Sequence, residues 1–296
     1  VSQKQAMYYG LAAVLCWSTV ATAFKLSLVH LSPTQLILLA SVTSWLFVTV
    51  MLAIQGKFTD LFQQTRQTYI ASFLYGLLNP TLYYLLLFTA YDLLPAQEAQ
   101  AINYSWAIVM SFLAVPLLGQ KLTRSDILAA VICYLGVLVI ATRGNVLGLE
   151  FANLQGVLFA VISTVVWSLY WILNRRDNRD ALLGLCLNFT FAVPLIAVYA
   201  WWSGELQGLD STIHWQAWVG GVYVGLFEMG IAFVLWLQAM KRATNTSRIA
   251  NLIFVSPFLS LVLIATFLHE PILPSTVVGL VLILGGLVLQ QRYSTK

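Results

Sequence analysis

Glu228 is the residue of this chain with the most chemistry open to it. It lies in the run VGLFEMGIAF, where every neighbour is apolar or small. A carboxylate in the middle of such a run is expensive in a membrane and normally faces a cavity or a partner. There it can exchange a proton or bind a substrate ammonium; the competing reading is a structural hydrogen-bond anchor. Asn79 precedes it by 149 residues, also in an apolar run, and is followed by Pro80. Tyr75, Asn79 and Tyr83 are spaced i, i+4, i+8, which predicts one helix face carrying two phenols and an amide. That stripe suits a zwitterion, though membrane helices also use Asn to hold each other.

Aromatic residues form the second group. Trp17 and Trp167 each precede a serine, Ser18 and Ser168, and both sit well inside apolar runs rather than at their ends. Tyr170 and Trp171 follow Trp167. A tryptophan facing a cavity offers a flat surface to a ring and a negative face to a cation; otherwise it packs between helices. Asn103, Tyr104 and Trp106 lie together, and Asn251, Ser256 and Pro257 occupy the matching region of the second half. Prolines beside polar groups often mark transporter binding regions, although membrane helices tolerate them elsewhere. The substrate-binding candidates are therefore Trp17, Tyr75, Asn79, Tyr83, Asn103, Trp106, Trp167, Tyr170, Trp171, Glu228, Asn251 and Ser256. Lys25 and Glu98 lie near one edge of their runs and are candidates for an ion pair or gate. Alternatively Lys25 snorkels and Glu98 complements a helix N-terminus.

Other chemistries find no support. Cys16, Cys133 and Cys186 are odd in number and lack metal or disulfide spacing, so each reads as a small hydrophobe. His30, His214 and His269 fall at the ends of runs and read as interfacial; no metal site is expected. No phosphate loop, dinucleotide fingerprint or hydrolase motif occurs, and nothing implies a cofactor. An intramembrane enzyme would need paired catalytic groups, and the midplane offers one carboxylate. A transporter rather than an enzyme is expected.

The elements that must position these residues follow from hydropathy. The chain is 60% hydrophobic and 9% charged, with mean hydropathy +0.84. Soluble domains carry about 25% charged residues. Apolar runs long enough to cross a bilayer are Met7–Val29, Pro33–Ile54, Tyr69–Ala90, Pro95–Leu118, Ser125–Ala141, Leu154–Leu173, Ala181–Trp202, Trp215–Met240, Ile249–Leu268 and Pro274–Gln290. They predict an all-α integral membrane protein of ten transmembrane helices. The first is too long for a signal h-region and reads as a membrane helix. With the N-terminus inside, thirteen of the fifteen Lys and Arg fall on the cytoplasmic side, leaving only Lys25 and Arg143 outside. The positive-inside rule then puts both termini in the cytoplasm. It also explains the net charge of +4 by the membrane surface rather than by nucleic acid.

The halves match at an offset of 149–150 residues: Trp17–Ser18 with Trp167–Ser168, Gly76 with Gly225, Ala90 with Ala239, Ser125 with Ser275, Gly136 with Gly286. Five helices per half is an odd number, so residues 1–148 and 149–296 are expected as repeats inverted in the membrane, with substrate bound where they meet. Such a bundle can work as a monomer.

The repeat ends read LLGQKLTRSDILAAVICYLGVLVI (Leu117–Ile140) and FLHEPILPSTVVGLVLILGGLVL (Phe267–Leu289). Both resemble the EamA-type repeat of the drug/metabolite transporter superfamily, and the resemblance covers the whole chain. Gln120 departs from the family's glutamate, which Glu270 keeps. The tryptophan- and tyrosine-rich interior is similar to that of YddG-type exporters of aromatic amino acids. The resemblance implies a secondary transporter with a central aromatic-lined cavity, exporting aromatic or neutral amino acids across the plasma (inner) membrane. Efflux of drugs or lipophilic cations by the same fold remains the alternative, because one carboxylate among aromatic rings suits a cation equally. A phosphate-ester substrate would want buried basic residues, and Lys25 is the only basic residue within a run.

Overall fold

Helix α1 (Gln3–Leu28) leads directly into α2 (Pro33–Ile54), and their junction shows how the chain marks its helix ends. Ser32 caps α2 by accepting the Gln35 N–H at 3.2 Å, and Gln35 Oε1 accepts the Ser32 N–H at 3.0 Å. This reciprocal pair satisfies two of the N–H groups a helix start leaves open. Pro33 costs nothing at the first helical position. The computed structural model describes residues 3–119, 121, 123–148, 151, 153–174, 177, 179–208, 214–242, 249 and 251–294. Gln120, one of the positions noted in the repeat, lies outside them, and so does the side chain of Asn251.

The remaining α-helices are α3 (Arg66–Gly76), α4 (Tyr83–Leu93), α5 (Ala96–Asn103), α6 (Trp106–Leu118), α7 (Arg124–Ala141), α8 (Leu154–Asn174), α9 (Ala181–Trp202), α10 (Trp215–Tyr223), α11 (Ile231–Arg242), α12 (Ser256–Leu263) and α13 (Pro274–Ser294). Among the described residues three irregular helical turns interrupt the series, a kinked one at Leu77–Leu82 and π-helical ones at Val224–Gly230 and Ile264–Leu268. Among the described residues, eight continuous helical runs are long and apolar enough to span a membrane, and Leu252–Leu268 and Pro274–Gln290 are two shorter apolar runs. The expectation of an all-α membrane protein with ten apolar segments therefore holds.

The described chain clusters into two compact units. The first takes Val1–Thr81 and Asn178–Leu268; the second takes Leu82–Asp177 and His269–Lys296. Neither coincides with a sequence half, because each draws on both. In the first unit α1 packs on α11 and α12, while α2 and α3 pack on α9. In the second, α8 packs on α4 and α6, and α7 packs along α13.

The α7–α13 contact is a small-residue crossing of the kind that drives association in lipid. A Cβ on Gly136 would stand 2.5 Å from the Gly279 carbonyl oxygen, and one on Gly286 would stand 2.7 Å from that of Ala129. The matched glycines of the two halves thus press the same two helices together. Gly76 and Gly225 also match in sequence, and each faces a neighbouring backbone carbonyl, of Asn188 and Ala40 respectively. The outward residues of α7 and α13, such as Leu128, Val131, Val278 and Val281, stay exposed as a lipid-facing surface does. Trp201, Trp202 and Trp215 are exposed at helix ends, where interfacial tryptophan belongs.

Outside the spanning segments, Asp180 caps α9 through its Oδ1, which accepts the Leu182 and Leu183 N–H groups, while its Oδ2 meets Lys57 Nζ at 2.7 Å. Burial pushes the Asp180 carboxyl up, but the Lys57 ammonium and the two backbone N–H groups outweigh it and hold it below the usual carboxylate value. The hydrogen bond and charge of Asp180 raise Lys57 in return.

Candidate functional site

Asn79 and Glu228 do not sit on regular helix. Pro80 has no N–H and its ring disfavours helical geometry at the preceding residue. Asn79 accordingly takes an extended backbone (φ −142°, ψ 118°) inside the kinked turn. This corrects the expected face of Tyr75, Asn79 and Tyr83. The helix register breaks between them, and Tyr83 belongs to the second unit while Tyr75 and Asn79 belong to the first. Asn79 is 3% exposed and its Oδ1 receives no hydrogen bond from any described residue. Glu228, 8% exposed, lies in the π-helical turn Val224–Gly230. The two sequence-matched polar residues therefore both sit where a regular helix is interrupted, Asn79 at a kink and Glu228 in a π-helical turn. Such turns free backbone groups for other partners and recur at functional sites.

In the first unit α1 packs against the turn that holds Glu228. Trp17 meets Trp236 at 5.3 Å between ring centroids and the edge of Phe233 at 6.2 Å. Ser18 Oγ donates to the Val14 carbonyl at 2.7 Å and lies 3.2 Å from Ser256 Oγ, fastening α1 to α12. Thr19 Oγ1 is 2.7 Å from Tyr223 Oη, and Tyr223 stacks on Phe227 next to Glu228. Glu228 lies in a turn packed on α1. Tyr75 lies under the Arg179 guanidinium at 5.7 Å.

In the second unit Trp167 is the hub. Tyr83 stacks on it at 4.3 Å and Tyr170 at 5.9 Å, while Trp171 and Trp106 meet it edge-on at 5.6 and 6.5 Å. Each such pair contributes about 0.5–1.5 kcal/mol beyond its buried area. Tyr83 Oη donates to Asn103 Oδ1 at 3.3 Å, Asn103 Nδ2 donates to Ser163 Oγ at 3.1 Å, and Ser163 donates to the Ala160 carbonyl at 2.7 Å. Asn103 thus joins α4, α5 and α8. Tyr83 and Tyr170 are buried, whereas Trp106, Trp167 and Trp171 are half-buried.

The matched Trp–Ser pairs do matched work. Ser168 Oγ shares its proton between the Thr164 and Trp106 carbonyls, tying α8 to α6. Ser18 reaches Ser256, and positions 106 and 256 are themselves 150 residues apart, as are Ser18 and Ser168. Each serine reaches into the other sequence half, as the helix packing of both units does. Sequence reasoning found Ser18 and Ser168 but not Thr19, Tyr223, Phe233 or Trp236, whose partners are remote in sequence.

Glu98 carries an ion pair, with Arg143 Nε 2.8 Å from its Oε1; the pairing with Lys25 considered from sequence is not the one this oxygen makes. The rings of His30 and His214 lie 5.3 Å apart at helix ends. No group of three or more metal-ligating side chains occurs among the described residues.

Helical segments of membrane-spanning length, polar residues set where helices are interrupted and clustered half-buried tryptophans define a polytopic membrane protein. The chain belongs to the EamA-like transporter family, which matches residues 4–142 and again 154–290. It is 25% identical over 97% of its length, and 96% of the other chain, to the aromatic amino acid exporter YddG of Ancylobacter novellus. It is also 25% identical to the uncharacterized transporter YvbV of Bacillus subtilis, over 77% of this chain and 72% of that one. One crystal structure superposes with a TM-score of 0.66, covering 99% of both chains at 23% identity, and shares the fold.

Proposed function

We propose that this chain is a secondary transporter that exports aromatic or other neutral amino acids by alternating access through a central aromatic-lined cavity. The observation that carries the reading is the pair of matched tryptophan clusters. Trp17 and Trp167 each stand among aromatic rings, and the first shares its unit with Asn79 and Glu228. Half-buried indole faces suit an aromatic side chain. An amide and a carboxylate suit the ammonium and carboxyl ends of an amino acid, or proton exchange with it. The near full-length relative that exports aromatic amino acids supports the same substrate class.

The two matched halves, residues 1–148 and 149–296, act as inverted repeats in this reading, and one copy suffices. The protein sits in the plasma (inner) membrane with both termini in the cytoplasm. Efflux of lipophilic cations is the second reading, favoured by Glu228 lying in a turn packed on α1, the helix that carries Trp17.

The test is uptake into proteoliposomes holding only the purified protein, with labelled phenylalanine, tryptophan, threonine and a cationic dye, each with and without a pH gradient. Saturable amino-acid uptake blocked by unlabelled tryptophan is expected. Glu228→Gln and Asn79→Ala should insert normally and lose at least tenfold of that uptake, about 1.4 kcal/mol in the transport barrier. Full transport by both variants removes these residues from the site, and dye movement without amino-acid movement moves the protein to drug efflux.

A further inference from the structure

The first turn of α5 holds two carboxylates and one guanidinium. Glu98, in that turn, has a side chain 1% exposed, and its Oε1 accepts from Arg143 Nε at 2.8 Å. Arg143 reaches it from a left-handed backbone (φ 49°), a conformation that disfavours any non-glycine residue. Glu270 arrives from the segment before α13, and its Oε1 accepts the Ala96 N–H at 3.1 Å. Gln97 fastens the same turn twice to that segment, donating to the Pro271 carbonyl at 2.8 Å and accepting the Leu273 N–H at 3.0 Å. Both carboxylates are thus held on one turn of helix, and the charge of Glu270 acts on that of Glu98.

One oxygen of each is left over. Glu98 Oε2 and Glu270 Oε2 are buried and receive no hydrogen bond from any described residue. Buried polar atoms in folded proteins nearly always have partners, and the exceptions call for an ion, a water or a functional role. The charges give the same answer. Two carboxylates against one guanidinium leave one negative charge over, at a place where Glu98 has almost no contact with solvent. The start of α5 supplies only a partial positive charge. The segments packed on this turn also bring His269, next to Glu270, and Tyr91 and Asp92, in the last turn of α4. The ends of α7, α8 and α13 at this place bring none.

We propose that Glu98 Oε2 and Glu270 Oε2 together bind one small monovalent cation, a proton or a sodium ion, that completes the charge balance with Arg143. A proton would join the two oxygens in an O–H···O bond. Sodium would take both as hard oxygen ligands, the type such cations prefer. A divalent ion would overshoot the balance. The bound cation fastens the start of α5 to the segment before α13. The inference rests on buried oxygens and charge, and is independent of the amino-acid reading.

The test is thermal unfolding of the purified full chain in detergent. One series varies sodium against choline at fixed pH; the other varies pH over roughly 5 to 9 without sodium. Wild type should respond to sodium, which assigns that ion, or to pH alone, which assigns the proton. Glu98→Gln and Glu270→Gln should each remove the response. Each keeps an oxygen for its present donor, so both are expected to fold. Arg143→Gln leaves both carboxylates in place and should move the midpoint to roughly tenfold lower sodium, or up by about one pH unit. A wild type indifferent to both series overturns the proposal. So does an unchanged response in the two glutamine variants, or a shift of Arg143→Gln in the opposite direction.

Discussion

Asp180 shows two roles of one carboxylate that substitutions can separate. Its Oδ1 caps α9 and its Oδ2 pairs with Lys57. Asparagine keeps the cap, so Asp180→Asn should change thermal stability little, because a half-exposed ion pair is worth little in water. Asp180→Ala loses the cap as well and should cost about 1 kcal/mol. The folded-state value of the carboxyl is lowered. Its contribution is therefore complete above the unfolded value of about 3.9 and disappears as pH falls through the folded value. The Lys57 contribution runs the other way, present below the unfolded lysine value and lost as pH rises through the raised one. Unfolding of wild type and Asp180→Asn should accordingly converge in acid; a constant difference between them down to low pH would remove the ion pair from the account.

At the scale of elements, the π-helical turns and the small-residue crossing set the geometry. The α7–α13 contact leaves no room for a side chain at Gly136, where even a Cβ would be 2.5 Å from a carbonyl oxygen and 3.0 Å from Leu282 and Ile283. Gly136→Val should destabilise the protein by about 1–3 kcal/mol through overpacking. Gly285 has open space where a Cβ would stand, so Gly285→Ala should be neutral or stabilising by up to about 1 kcal/mol. Denaturation of the two variants in the same detergent measures both; equal effects would contradict the close approach. The kink at Asn79 belongs to the same scale, since proline and the residue before it interrupt the helix there.

For the whole molecule, the charge bias makes a prediction that labelling can check. Leu147 is 99% exposed in the segment after α7, on the side opposite Lys4 and Lys57 in the topology read from the basic residues. In intact cells, a thiol reagent that cannot cross membranes should label Leu147→Cys and spare Lys4→Cys and Lys57→Cys. Opening the cells should expose all three. The reverse pattern would invert the protein. The native cysteines interfere little, since Cys133 and Cys186 are buried and Cys16 is partly so.

What the sequence determined by itself was everything that adds up locally. Hydropathy summed over about 20 residues set the ten apolar segments, and Pro33–Ile54 and Ala181–Trp202 were read with the bounds the helices have. The matched Trp–Ser pairs pointed to a functional role for both tryptophans, and the family match along both halves agrees with the repeat ends quoted from the chain. Tertiary structure decided what depends on partners far apart in the chain. It broke the Tyr75–Asn79–Tyr83 face, because periodicity assumes continuous helix and Pro80 interrupts it. It gave Glu98 to Arg143, and used Asn103 to join three helices. It also built each compact unit from both halves. In lipid, hydrophobicity places a helix in the membrane without choosing its neighbour. That choice falls to close glycine contacts, ring stacking and a few hydrogen bonds, whose partners become neighbours only on folding.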